Sequence, residues 1–186
     1  MNVFRYETPN KVVRETKGPS IFLAGPTVRG HQTHLTSWRF AAIEEFEKLG
    51  FEGNLIVPEF TVRTESDKGK PWVPLWEYNG LKRADCIMFW IPRTKELIGL
   101  TTNYELAMWS SISDKVIYGR PDDAYRIDYI DLMWNVIQLD EYLTGDEKDI
   151  DISKYDNPPT PIYNTLHDTI RASIQMAQFH NDVREE

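Results

Sequence analysis

Three glutamates stand where working side chains of an α/β protein are expected. Glu105 lies in Gly99-Leu100-Thr101-Thr102-Asn103-Tyr104-Glu105, Glu77 in Trp76-Glu77-Tyr78-Asn79-Gly80, and Glu59 directly after Pro58. Two carboxylates that converge from different elements can break a glycosidic bond, one attacking the anomeric carbon and the other handling protons. Each glutamate also has a structural reading. Thr102-x-x-Glu105 fits a capping box, in which the glutamate bonds back to the amide of the N-cap residue; on spacing alone this reading is preferred. Glu77 fits an exposed residue near a helix N-terminus, where the dipole favours negative charge. Glu59 fits a turn, or a group that reads the hydrogen-bonding edge of a ligand.

Other chemistries lack their signals. The chain has no GxGxxG, GxxxxGK[ST] or HExxH motif, so dinucleotide, P-loop and zincin readings lose their support. The single cysteine, Cys86, excludes an intrachain disulfide and multi-cysteine metal clusters. His31 and His34 share a loop and are expected to be exposed polar residues rather than ligands. No cofactor and no metal is expected. The 186 residues carry a net charge of −8, which argues against a nucleic-acid-coating protein. No apolar run approaches the roughly 20 residues of a membrane span, and Met1 to Tyr6 do not read as a signal peptide. A soluble cytoplasmic protein is the expectation, with a small anionic ligand still allowed.

The elements that must position the glutamates alternate in type. Ser20–Ala24 before Gly25-Pro26, Leu55–Val57, Asp85–Ile91 and Lys115–Gly119 read as buried strands, and Val136–Leu139 as a last one. Helices are expected from Thr36 or Ser37 to Leu49, with Phe40, Ile43, Phe46 and Leu49 inward and Gly50 as the stop, and over 76–83, 101–112, 124–134 and 163–179. In the second, Trp76, Gly80 and Leu81 share a side; in the last, Leu166, Ile170, Ile174 and Ala177 do. Trp38, Trp72, Trp76 and Trp90 are expected in the core or its rim, with stacking on a planar ring as the alternative. Residues 1–18 read as an N-terminal arm or hairpin, 19–186 as a single domain, and 140–160 as an acidic loop. This alternation specifies an α/β domain with a mostly parallel sheet. Ligands of such sheets bind beyond the carboxyl ends of the strands.

Five stretches, taken in order, resemble the nucleoside 2-deoxyribosyltransferase-like family. They are Ile21–Thr27, Ser37-Trp38-Arg39, Val57-Pro58-Glu59, Trp76–Arg93 and Gly99–Glu105. The resemblance spans about residues 19–139, with the last helix added by pattern. It implies a flavodoxin-like, doubly wound sandwich with about five strands, and a homo-oligomer with shared active sites. It implies Glu105 as the nucleophile and Glu77 where classical members carry an aspartate. Gly25 and Pro26 fall in the ligand loop, Trp38 and Asn103 in matching segments, and Glu59 near a base-contacting position. Asp131-Leu132-Met133 resembles a segment that reaches a neighbouring subunit's site, so Asp131 and Met133 are counted as substrate contacts. Classical members carry another acidic residue shortly before the nucleophile, where this chain has Gly99.

The activity so implied is transfer of 2-deoxyribose between nucleobases, with a nucleoside or nucleotide and a free base as partners. Two alternatives stay open at this point. One is hydrolysis of nucleosides or their 5′-monophosphates, with Arg29 and Arg39 as phosphate donors. The other is a non-catalytic module that binds a nucleotide-derived ligand.

Overall fold

The computed structural model describes residues 1–8, 17–29, 31–32, 34–62, 70–138 and 160–185. Five strands form one all-parallel sheet: β1 (Asn2–Phe4), β2 (Ser20–Ala24), β3 (Asn54–Ile56), β4 (Cys86–Trp90) and β5 (Val116–Gly119), in the order β1-β3-β2-β4-β5. Five helices cover it: α1 (Trp38–Lys48), α2 (Val73–Arg83), α3 (Leu100–Ile112), α4 (Asp128–Gln138) and α5 (Leu166–Glu185). This is the parallel α/β arrangement that the alternation of elements predicts and the flavodoxin-like architecture that the resemblance implies.

The central strands are apolar at nearly every position because both faces are covered. Phe22, Ile56, Ile87, Phe89 and Tyr118 pack with Trp76, Leu106, Trp109 and Trp134 of α2, α3 and α4. Ile21, Leu23, Leu55, Met88 and Ile117 pack on the other face with Ala42 and Phe46 of α1 and Ile170 and Ala177 of α5. Among the described residues no helix is long and apolar enough to cross a membrane.

The five strands are not the expected five. Residues 2–4 are neither arm nor hairpin. They form β1, an edge strand parallel to β3, with Val3 opposite Leu55 and Phe4 opposite Ile56. At the opposite edge Val136–Gln138 belong to α4, while Leu139 lies outside the described residues. Two adjacent β-branched apolar residues fit a short strand and a buried helix turn equally well. Here Trp134 decides for the helix. It is buried, packs at a tilt on Tyr118 with centroids 5.4 Å apart and donates from Nε1 to the Thr160 carbonyl. What remains of a strand beside β5 is one rung, Tyr163 opposite Gly119. The acidic segment also lies outside the described residues, apart from Thr160.

Helix α1 turns Ile43 and Phe46 of its expected face to the core, but Phe40 and Leu49 are exposed. Ser37 caps it as predicted, accepting from the Arg39 N–H at 3.2 Å, and Gly50 follows it with φ +67°. Its buried residues are Trp38, Arg39, Ala42 and Phe46, while Phe40 is exposed and carries the Arg5 guanidinium over its ring. The reason lies in what Arg39 does at the end of β2.

Candidate active site

At its end β2 turns through Gly25, and carbonyls on both sides of the turn accept from a side chain of α1. Arg39 supplies the donors. Its Nε reaches the Leu23 carbonyl at 2.9 Å, Nη2 the Gly25 carbonyl at 2.9 Å, and Nη1 the Thr27 hydroxyl at 3.3 Å. Nη1 also pairs with Glu59 Oε1 at 2.9 Å, and Ser37 Oγ donates to the same oxygen at 2.7 Å. Trp38 Nε1 donates to the Pro26 carbonyl at 3.0 Å. A buried guanidinium with its counter-charge and several acceptors is the arrangement in which burial of an ion pair is tolerated. Burial lowers the affinity of Arg39 for its proton, and Glu59 opposes that shift.

Two glycines let the loops meet here. Gly25 has φ +149°, and a Cβ on it would sit 2.2 Å from the Trp90 carbonyl and 2.8 Å from the Trp38 ring. Gly99 has φ +64°, and its Cβ would sit 2.7 Å from that of Pro26. The loop after β2 therefore packs directly on the loop after β4. β2 is also where the chain order reverses, with β3 on one side and β4 on the other. Such a switch point opens a crevice between the helices that follow the diverging strands.

That crevice has a volume of about 380 Å³, within the usual range for a small-molecule site. Phe22, Ala24 and Gly25 form its floor, and Thr27, Arg39 and Pro58 one end. The walls are two helical stripes at the three- and four-residue spacing of one face. Pro74, Glu77, Tyr78 and Leu81 come from α2, and Thr101, Tyr104, Glu105 and Met108 from α3.

The capping box expected at Thr102 is absent. Helix α3 begins at Leu100 with Gly99 as its N-cap, so Thr102 is a buried residue of the first turn. Glu105 is thereby one turn deeper than a capping glutamate, and it faces the crevice. Burial and the negative charge of Glu77 push its carboxyl up to about 7, against the opposing pull of Arg39. Burial also raises Glu77, while the Tyr6 hydroxyl and Arg39 act the other way by favouring its ionised form. Two carboxylates that resist joint ionisation in one crevice mark a functional site on physical grounds.

Glu77, Glu105, Gly25 and Arg39 line the crevice; the other expected contacts do not. Glu59 is buried behind it, held by Arg39 and Ser37. Pro26 and Trp38 bond to one another in the loop packing, and Arg29 is exposed. Asn103 accepts from Arg93 Nη2. Asp131 accepts from the Tyr118 hydroxyl at 2.7 Å and pairs with Arg120 Nη2 at 2.7 Å, and Met133 is exposed on α4.

Two contributors escaped the sequence reading. Tyr6 lies in the segment set aside as an arm, and the one signal for it is the apolar Val3-Phe4 pair that makes β1. Arg39, expected only as a phosphate donor, organises the loop after β2. No protein-family model matches the chain, and no curated protein sequence matches it.

Proposed function

We propose that this chain transfers 2-deoxyribose between nucleobases, with Glu105 as nucleophile and Glu77 as proton carrier. The observation that carries the reading is the pair of carboxylates on facing helices, both held above their ordinary range, in a crevice at the switch point of the sheet.

In the first step the C1′–N bond of a 2′-deoxynucleoside breaks, and its electron pair leaves with the base. A proton passes from Glu77 to a ring nitrogen of that base. The Glu105 carboxylate stabilises the oxocarbenium-like transition state and then closes an O–C1′ ester bond. In the second step a nitrogen of the incoming base attacks C1′. Its proton returns to Glu77, and Glu105 leaves as a carboxylate. Two inversions give net retention. The missing 2′-hydroxyl eases the reaction, because that group withdraws charge from the oxocarbenium ion.

The charge of the crevice bears on the substrate. Among the described residues the one cation that lines it is Arg39, engaged with the Leu23, Gly25 and Pro26 carbonyls, the Thr27 hydroxyl and Glu59, and two carboxylates face the open space. Nucleosides therefore suit it better than their 5′-monophosphates. Asp131 and Met133 do not reach the crevice of their own chain. The resemblance gives them to a neighbouring copy, so a cytoplasmic homo-oligomer belongs to this proposal.

The test is chromatography of a panel of deoxynucleosides and their monophosphates, each incubated with and without a second free base. A new deoxynucleoside is expected, and Glu105→Gln should abolish it. Free base alone, with or without an acceptor, would make the chain a hydrolase. Tight ligand binding without any product would make it a binding module. The mechanism needs Glu105 ionised and Glu77 protonated, so kcat should be bell-shaped in pH, with the Glu105 carboxyl near 7 setting one limb. A profile with a single limb would remove one of the two carboxyl roles.

A further inference from the structure

The segment after β1 carries a polar group that the reaction as written does not use. The Tyr6 N–H donates to the Glu59 carbonyl at 3.3 Å, which carries the chain past β1 toward the crevice. The Tyr6 ring is boxed by Phe60, Trp76 and Trp72, with centroids at 4.8, 5.0 and 6.2 Å. Trp76 ties the same segment down through Nε1, which donates to the Thr8 carbonyl at 2.9 Å. A phenylalanine would fill this box equally well. The hydroxyl therefore adds something that packing does not require, and it donates to Oε1 of Glu77.

We propose that Tyr6 is a positioning residue for Glu77, pinning Oε1 so that Oε2 is the oxygen presented to the leaving base. This rests on the glycosyl-transfer reading above. A carboxylate held by one oxygen loses the rotation that would otherwise misalign its proton, and misplacement of this kind is costly in rate. The neighbours acting on Glu77 are Tyr6, Arg39 and, across the crevice, Glu105. Burial and the adjacent Glu77 carboxylate hold the Tyr6 proton far above its ordinary range, so the hydroxyl remains a donor at any working pH. Because that donor favours the ionised form of Glu77, removing it should move Glu77 upward.

The experiment compares wild type, Tyr6→Phe, Glu77→Gln and the double variant in kcat, KM and pH profile. Tyr6→Phe should keep its melting temperature, lose about ten- to a hundredfold in kcat at similar KM, and shift the limb of the kcat profile set by Glu77 to higher pH. In the Glu77→Gln background the same change should alter kcat less than about twofold, the mark of two groups acting as a unit. Phe60→Leu, which loosens the box and spares the hydroxyl, should lower the melting temperature and leave the limb in place. Wild-type kcat and limb in Tyr6→Phe would overturn the positioning role, as would an undiminished loss in the Glu77→Gln background. No turnover in wild type would overturn the glycosyl-transfer reading and this role with it. Carboxyl 13C titration of Glu77 with and without the tyrosine hydroxyl would still report whether the contact governs that group.

Discussion

At the amino end of the sheet Asp85 accepts from the Ser20 N–H at 2.8 Å, from the Ser20 hydroxyl at 2.7 Å and from Arg184 Nη1 at 2.9 Å. Lys115 closes the same end by donating to the carbonyls of Lys82 and Ala84. At the carboxyl end Glu105 has no hydrogen-bond partner among the described residues, and it shares its crevice with a second carboxylate. Both acids are largely withdrawn from water. One has its donors and its counter-charge; the other is left with a like charge and the weaker opposing pull of Arg39. Buried polar groups in proteins are normally paired, so the amino end follows the rule of stability and the carboxyl end departs from it. Such departures persist where a function needs them.

The comparison breaks most readily at Glu105. Replacing it with glutamine should lower deoxyribosyl transfer at least about a thousandfold while the chain stays folded, because the amide cannot form the ester. Product chromatography together with a melting curve checks both halves. Retained turnover in a folded variant would remove the nucleophile and with it the functional half of the contrast.

Asp85→Ala should act in the opposite sense. It removes the acceptor for a part-buried N–H and hydroxyl and the partner of Arg184, so a loss of about 2 kcal/mol is expected. Denaturant unfolding measures it. Turnover per folded molecule should stay at the wild-type value, since Asp85 lies at the far end of β4 from the crevice.

Stability against pH sharpens the comparison further. The Glu105 carboxyl is raised from its ordinary 4.5 to about 7 in the folded chain. Between those values the folded state binds the proton more tightly than the unfolded state. Stability contributed by the protonated form is complete below about pH 4.5 and is lost as pH rises through 7. Glu105→Gln escapes that loss. The variant should match wild type near pH 4.5 and exceed it by about 2–3 kcal/mol at pH 8. Unfolding curves at the two pH values measure the difference. Equal stabilities at pH 8 would mean that Glu105 is not strained in the folded chain.

How much of this was legible in the sequence follows the physics of each signal. The β2, β3, β4 and β5 runs and the inward face of α2, with Trp76, Gly80 and Leu81, were readable because burial on both faces and helical spacing leave direct marks. The crevice was readable in outline, since strand ends locate it and Glu77 and Glu105 follow them. The face of α1 was not, because a charged Arg39 points inward to serve carbonyls that exist only once β2 has turned. The edges of the sheet were not, because three residues such as Asn2–Phe4 carry too little pattern to mark a strand. Glu59 illustrates the limit in the site itself. Its position after β3 is what a ligand contact would have, and only the placement of Arg39 and Ser37 shows the carboxylate to be taken.

The smallest predicted effect falls at the amino end, on Ser20→Ala. The Ser20 hydroxyl donates to Asp85 Oδ2 and accepts from the Asp85 N–H at 3.1 Å, so its removal breaks two contacts in one knot. The Ser20 N–H and Arg184 still reach the carboxylate, and Ser20 is only partly buried, so little desolvation is left uncompensated. About 1 kcal/mol is therefore expected, which for a domain of this size lowers the melting temperature by about 2–4 °C. Turnover should not change, and the pH dependence of stability set by Glu105 should persist unaltered. A shift of the kcat profile in Ser20→Ala would mean that the two ends of the sheet communicate. In that case the contrast between them would be one of coupled strain rather than of independent local chemistry.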